Sequence, residues 1–419
     1  MKPNEWRRPV TGLLLGIGWL LSMARVVGAD WPQWLGPNRD GSTTDSIATK
    51  WPADGPTKVW SRDVGHGFSG PAVGGGRLIL HQRRGERDVV ECLDAVRGGE
   101  PLWVREWPAT YRDDFGFDDG PRATPSIVGG RVYTLGAEGT LSCLEMASGA
   151  VVWRVAMPKE FGADKGFFGF ACSPLVMAGQ VMLNVGGRDG AGVVALDAGT
   201  GKLRWKATSH EAGYAAPVAM GTGSESKIVF FTREGLVVVG PVTGAIEAEF
   251  PWRARQSASV NAATPLVVGK RIFLTSSYGV GAVLLEWTGR GVKKVWSGDE
   301  SLSSHYASVV HRDGLVYGFH GRQEEGAVFR CVEFPTGKVR WTAESMGSGS
   351  VLLAKDVLLI LSERGELVAA SATPERFQVL ARAQVLGTGV RAYPALAGGR
   401  FYARDPRKMV CLELAASTP

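Results

Sequence analysis

One strand-turn-strand segment recurs along this chain at near-regular intervals, and that recurrence limits the fold more than any single motif. It reads "EGTLSCLEMASGAVVWR" from Glu138, "AGVVALDAGTGKLRWK" from Ala191, "GAVFRCVEFPTGKVRWT" from Gly326 and, more loosely, "RDVVECLDAVRGGEPLWV" from Arg87. Upstream of these lies a second element, a Pro- or Ser-led apolar strand, as in "ATPSIVGGRVYTLG", "CSPLVMAGQVMLNVG" and "ATPLVVGKRIFLTS". Together the two elements make a unit of four short strands.

Taking that Pro or its aligned Ser as an anchor marks Pro71, Pro125, Pro174, Pro217, Pro265, Ser308, Ser350 and Pro394, spaced by 54, 49, 43, 48, 43, 42 and 44 residues. Four strands per 40–50 residues is the period of a β-propeller blade. The last unit, "YPALAGGRFYARDPRKMVCLELA", has three strands and lacks a closing Trp, while "GPTKVWSRD" near the start carries a spare one. Pairing that strand, about residues 57–63, with the C-terminal unit closes the ring and removes the open edge. The expected fold is all-β: an eight-bladed propeller of four-stranded antiparallel blades. Helical periodicity is hard to find, and 57 glycines punctuate β-branched runs.

Residues 1–29 differ from the rest. Lys2, Arg7 and Arg8 precede "TGLLLGIGWLLSM", and Val27-Gly28-Ala29 offers a small-residue cleavage point before Asp30. This reads as a secretory signal peptide, leaving residues 30–419 as one propeller domain. Arg25 interrupts the apolar run, which is shorter than the ~20 residues a membrane span needs. Removing the leader's Lys2, Arg7, Arg8 and Arg25 together with Glu5 lowers the formal net charge from +6 to +3. With no basic run or basic helix, nucleic-acid binding has no support. Cys92, Cys143, Cys331 and Cys411 fall at one third-strand position of four different units, too far apart for bridges. Buried free thiols are expected. No Cys precedes Cys92, which argues against a lipid anchor on an N-terminal cysteine.

The units, best seen in "VALDAGTGKLRW" and "VEFPTGKVRW", resemble the pyrroloquinoline quinone (PQQ) repeat, and "DWPQWLGPNRDG" resembles the start of exported PQQ-like propellers akin to the outer-membrane assembly factor BamB. The resemblance covers nearly all of the chain beyond the leader. It implies the fold and leaves function open between quinoprotein dehydrogenases, assembly scaffolds and other exported propellers. It also implies that Trp60, Trp103, Trp153, Trp205, Trp296 and Trp341 pack between neighbouring blades. Burying about 150–250 Å² each, at a gross ~4–6 kcal/mol, is sufficient reason for them without a cofactor.

The innermost strand of each blade begins beside the channel, so the residues just before it are the candidates for a site. They are His66, Phe68, Arg122, Phe170, Tyr214, Asn261, His305, Tyr306, Arg391 and Tyr393, of which Arg122, Asn261, His305, Arg391, Tyr214 and Tyr306 form the expected ligand site. Guanidiniums pair with carboxylates and rings offer flat faces, which suits a planar acidic ligand such as PQQ, in a pocket of roughly 300–1,000 Å³. The calcium-dependent dehydrogenases that the resemblance brings to mind need oxygen ligands for Ca²⁺, an aspartate base and a bridge between adjacent cysteines. Here Asn261 alone resembles a Ca²⁺ ligand and no adjacent Cys pair exists.

Two connections stand out. "TYRDDFGFDDGPR" holds Asp113, Asp114, Asp118 and Asp119 and reads as a solvated acidic loop, with a Ca²⁺ site or pairing to Arg122 as alternatives. "KEFGADKGFFGFA" carries Phe161, Phe167, Phe168 and Phe170, either as a lid over the mouth or as an apolar patch for a partner. No hydrolase motif is present. The expected protein is a monomeric, exported propeller, periplasmic or extracellular, that binds a small acidic ligand or a protein partner without catalysis. A PQQ-dependent dehydrogenase acting on an alcohol or sugar and a BamB-like assembly factor are the alternatives.

Overall fold

A computed structural model describes Met1 and residues 30–416; the leader reading falls outside the described residues apart from Met1. Eight antiparallel sheets follow one another as blades over residues 72–108, 126–156, 175–207, 218–251, 266–298, 310–343, 349–384 and 395–413. Inner strands touch between blades one and two, two and three, four and five, and six and seven, and that of the eighth blade touches that of the first, so the chain's two ends meet in a ring. The middle strands are continuous apolar runs because neighbouring blades cover both of their faces: every residue of Gly235–Val239 and Val357–Ser362 is buried. Outermost strands have one wet face, as in Ile246–Pro251, which alternates from the buried Ala248 onward, past a bulge.

The ring closes as the spare strand implied. Lys58–Asp63 pairs antiparallel with Lys408–Glu413 and sets Trp60 opposite Cys411. Blade seven departs from the expected four strands. Its first strand, Gly349–Ala354, contains the anchor Ser350 instead of following it, and Ser42–Thr43 adds to its channel-facing edge in parallel, with Ser42 opposite Leu353. An inner edge without a partner leaves backbone groups to be satisfied, and the N-terminal segment supplies the bonds.

That segment runs across the channel. Trp31 pairs with Val73, the Pro32 carbonyl accepts from Ile127 N–H, and the Trp34 indole donates to Thr264 Oγ1 at 2.8 Å. Residues 31–43 therefore join blades one, two, five and seven at once.

Each closing Trp docks on the following blade's turn. The indole N–H groups of Trp60, Trp103, Trp153, Trp205, Trp296 and Trp341 donate to the carbonyls of Ala95, Met146, Ala198, Pro241, Phe334 and Thr373 at 2.8–3.1 Å. Blades four and seven have Ala248 and Ala381 at the equivalent place. Ser148-Gly149, the turn of the most regular repeat, shows why glycine recurs there. Gly149 has φ +68°, and a Cβ on it would meet the Trp103 indole at 2.6 Å. Gly149→Ala is expected to cost about 1–3 kcal/mol in urea unfolding. Gly75→Ala is the control, since that glycine also has positive φ, +57°, with nothing within 4 Å. Equal losses in the two variants would show that backbone strain, and not the indole contact, sets the cost.

All five cysteines are free and buried. Cys92, Cys143, Cys331 and Cys411 lie directly opposite Trp103, Trp153, Trp341 and Trp60, as small apolar fillers under the indoles. Among the described residues no helix is long and apolar enough to cross a membrane.

Candidate ligand site at the channel mouth

A cavity of about 390 Å³ opens at one end of the channel, within the expected size range. Of the ten residues preceding inner strands, Phe68, Arg122, Tyr214, His305, Tyr306, Arg391 and Tyr393 line it. Three do not. His66 turns outward toward Asp118, 3.5 Å away, and Phe170 is buried in the core between blades two and three. Asn261, one of the expected site residues, is buried, and its amide nitrogen donates to the carbonyls of Thr232, Arg233 and Trp252 at 2.9–3.2 Å. Its nitrogen is spent on strand-end backbone, which is what a buried amide beside a chain reversal is drawn to.

Other lining residues escaped the strand-start rule. Tyr278 sits on the turn between the second and third strands of blade five, and Arg322, Gln323 and Glu324 sit on the same turn of blade six. Consecutive antiparallel strands reverse direction, so this turn returns to the end where the first strand began; reading both positions would have found them. Trp34 comes from the N-terminal segment, closes the cavity toward the channel and packs on Tyr393 with ring centroids 4.6 Å apart.

The phenylalanine-rich connections meet over the cavity. Phe115 and Phe117 from one and Phe167 and Phe168 from the other line it, with Phe115 and Phe168 centroids 5.2 Å apart. The Tyr214 hydroxyl accepts from the backbone N–H groups of Phe167 and Phe168 at 2.9 and 3.0 Å, and Lys165 Nζ meets Asp114 at 2.7 Å across the seam. The lid still presents apolar surface, with Phe115 and Phe117 55% and 50% exposed.

The acidic loop is not simply solvated, which corrects the expectation. Asp113 and Asp118 are buried. The Asp113 carboxylate accepts from the backbone N–H groups of Phe115, Phe117 and Asp118 and from Arg122 Nη2 at 2.9–3.3 Å. Asp118 accepts from Gly120 N–H. Short side-chain acceptors of this kind fold a loop onto itself; here they also seat Arg122, whose other bonds go to the Gly120 and Asp118 carbonyls at 2.8 Å.

Arg391 donates to Gln323 Oε1 at 2.8 Å and lies 3.5 Å from Glu363, which also accepts a hydrogen bond from the Tyr306 hydroxyl. Arg322 lies 3.4 Å from Glu324, and its guanidinium sits 4.8 Å above the Tyr278 ring. His305 Nε2 and the Tyr278 hydroxyl are 2.8 Å apart. Burial, and then the Arg322 and Arg391 charges, push the His305 imidazole down to about 4, so it is neutral at pH 7. Burial likewise raises the Tyr214, Tyr278 and Tyr306 hydroxyls, which remain protonated donors.

Each lining arginine thus already has a carboxylate beside it: Asp113 for Arg122, Glu363 for Arg391 and Glu324 for Arg322. A polyanion would find no surplus positive charge here. Nor do the residues suit a calcium-bound quinone. Among the described residues Glu324 is the one carboxylate lining the cavity, and no group of three or more His, Cys, Asp or Glu side chains is placed to hold a metal ion.

The family profile described as outer membrane protein assembly factor BamB matches residues 86–328. No curated protein matches the chain in sequence. Among solved structures, BamB from Moraxella catarrhalis is similar at 16% identity and a TM-score of 0.63, over 87% of this chain and 99% of that one. A europium-containing methanol dehydrogenase is similar at 14% and 0.69, over 92% and 89%. The quinohemoprotein alcohol dehydrogenase from Comamonas testosteroni is similar at 16% and 0.64, over 93% and 81%. At such identities these structures speak for the fold alone. With more than half of its length matched, the chain belongs to the PQQ-repeat propeller family that carries the BamB assembly-factor description.

Proposed function

We propose that this protein is an exported PQQ-like propeller that holds a flat aromatic small molecule at its channel mouth, without turning it over. The observation that carries this reading is the cavity wall, in which Trp34, Phe68, Phe115, Phe117, Phe167, Phe168, Tyr214, Tyr278, Tyr306 and Tyr393 surround about 390 Å³. Rings arranged in this way bind planar molecules through stacking and edge contacts. The few polar groups between them give orientation. A dehydrogenase reading has less support, because among the described residues no group of three or more His, Cys, Asp or Glu side chains is assembled to hold a metal.

Calorimetric titration with 2-naphthol, 2-naphthoate and PQQ, the last with and without Ca²⁺, tests the proposal. Saturable micromolar binding of the naphthalene probes is expected, with one site per chain, and Trp34→Ala should weaken it at least about tenfold through loss of the stacking floor. Binding of PQQ that requires Ca²⁺ and supports dye-linked alcohol oxidation would overturn the reading in favour of a dehydrogenase. Absence of binding by every probe would overturn it in favour of a protein partner, for which the exposed Phe115 and Phe117 are the first surface to mutate.

A further inference from the structure

Resting on the aromatic-ligand reading, we infer that the site is selective for a molecule with a single carboxylate, which Arg322 recognises by exchanging it for Glu324. The three cavity arginines differ in how firmly their partners are held. Asp113 is buried and bonded to three backbone N–H groups besides Arg122. Glu363 has a side chain only 14% exposed and is held by the Tyr306 hydroxyl as well as by Arg391. Neither carboxylate can leave without stranding buried donors, which is costly.

Glu324 is different. Its side chain is 55% exposed on a surface turn, and the Arg322 Nε beside it, at 3.4 Å, is buried yet lacks hydrogen-bond geometry to any partner. Glu325, the other acid near Arg322, is 4.0 Å away and still more exposed. An exposed, loose ion pair is held weakly, by little more than solvent offers, so moving Glu324 into water costs little. A ligand carboxylate taking its place gains a planar two-point contact with the guanidinium inside a largely apolar enclosure, where charge-assisted bonds are stronger than in water.

The surroundings match one such group and no more. Tyr278 lies under the Arg322 guanidinium and orients its plane, and His305 beside it is neutral, adding no second positive charge. Phe115, Phe117, Phe167 and Phe168 add no donor side chain of their own, and the Arg391 guanidinium packed 5.1 Å from the Phe117 ring is already engaged by Glu363 and Gln323, so a second carboxylate buried there would displace a held partner or stay unpaired, which is unfavourable. A ligand with an acid at one end and an aromatic body at the other fills both halves.

Titrating wild type, Arg322→Gln and Glu324→Gln with 2-naphthoate and 2-naphthol separates the possibilities. Wild type is expected to prefer 2-naphthoate. Arg322→Gln should weaken 2-naphthoate about tenfold or more and change 2-naphthol by less than about twofold, because only the former uses the charge-assisted contact. Glu324→Gln should tighten 2-naphthoate several-fold with 2-naphthol unchanged, since the internal competitor loses its charge. Equal weakening of both probes by Arg322→Gln, or no gain with Glu324→Gln, would overturn the carboxylate assignment while leaving aromatic binding in place. Failure of wild type to bind either probe would overturn both readings together.

Discussion

Arg39→Met is expected to lower the unfolding free energy by about 3–5 kcal/mol, because several buried carbonyls lose a charge-assisted donor at about 1–3 kcal/mol each, and to abolish binding of 2-naphthoate. Arg39 is buried at the centre of the N-terminal segment. Its guanidinium donates to the carbonyls of Pro217, Pro174 and Ser173 at 2.9–3.0 Å and to Gln33 Oε1 at 3.0 Å. Burial lowers its pKa only to about 10, so the group is charged at neutral pH and its charge is met by carbonyl dipoles. Methionine fills comparable volume and makes none of these bonds, leaving buried acceptors unsatisfied at the starts of blades three and four. Because the same segment carries Trp34, loosening it removes the cavity floor as well. Urea unfolding and the titration read the two effects separately; a stability loss below about 1 kcal/mol would show that the carbonyls find water instead.

A second large effect belongs to pH. His305 is held near 4 in the folded chain against an ordinary value of 6.5. The groups around it are Arg322, Arg391, Glu324, Tyr278 and Tyr306; burial acts first and the two arginines second in keeping it neutral. Above pH 6.5 folded and unfolded chains carry the same neutral imidazole, and His305 adds no pH dependence. Between 6.5 and 4 the unfolded chain binds the extra proton, so stability falls as pH falls, by about 3 kcal/mol over the interval at 1.36 kcal/mol per pH unit. Below about 4 both states are protonated and the slope from this group ends. His311 and His320 are also lowered by burial and contribute slopes of their own. The readout is therefore the wild-type unfolding free energy minus that of His305→Gln at each pH. A difference that stays flat from pH 7 to 4 would mean that water or a local opening solvates the imidazole.

The repeat and its chemistry were readable because they arise from local rules applied many times. Turn residues at fixed offsets, an aromatic closing each unit and a C-terminal unit short of one strand specified the blade count and the pairing of Lys58–Asp63 with Lys408–Glu413. The lining of the mouth cavity was readable in part. Phe68, Arg122, Tyr214, His305, Tyr306, Arg391 and Tyr393 were found because strand starts converge on one mouth by topology. Asn261 occupies the same position in its blade and yet serves the backbone, since which way a side chain is spent depends on carbonyls contributed by Thr232, Arg233 and Trp252.

What the amino-acid sequence determined by itself was the periodic part: eight units, their ring, the buried thiols and the indole docks, all consequences of period-two patterning and turn chemistry. Tertiary structure alone decided the aperiodic part. It placed Trp34 beneath the cavity, brought two phenylalanine-rich connections together as a lid, and gave each guanidinium a carboxylate partner of different firmness. Those outcomes depend on side chains far apart in the chain competing for the same few hydrogen bonds in a desolvated space, and no local pattern encodes who wins.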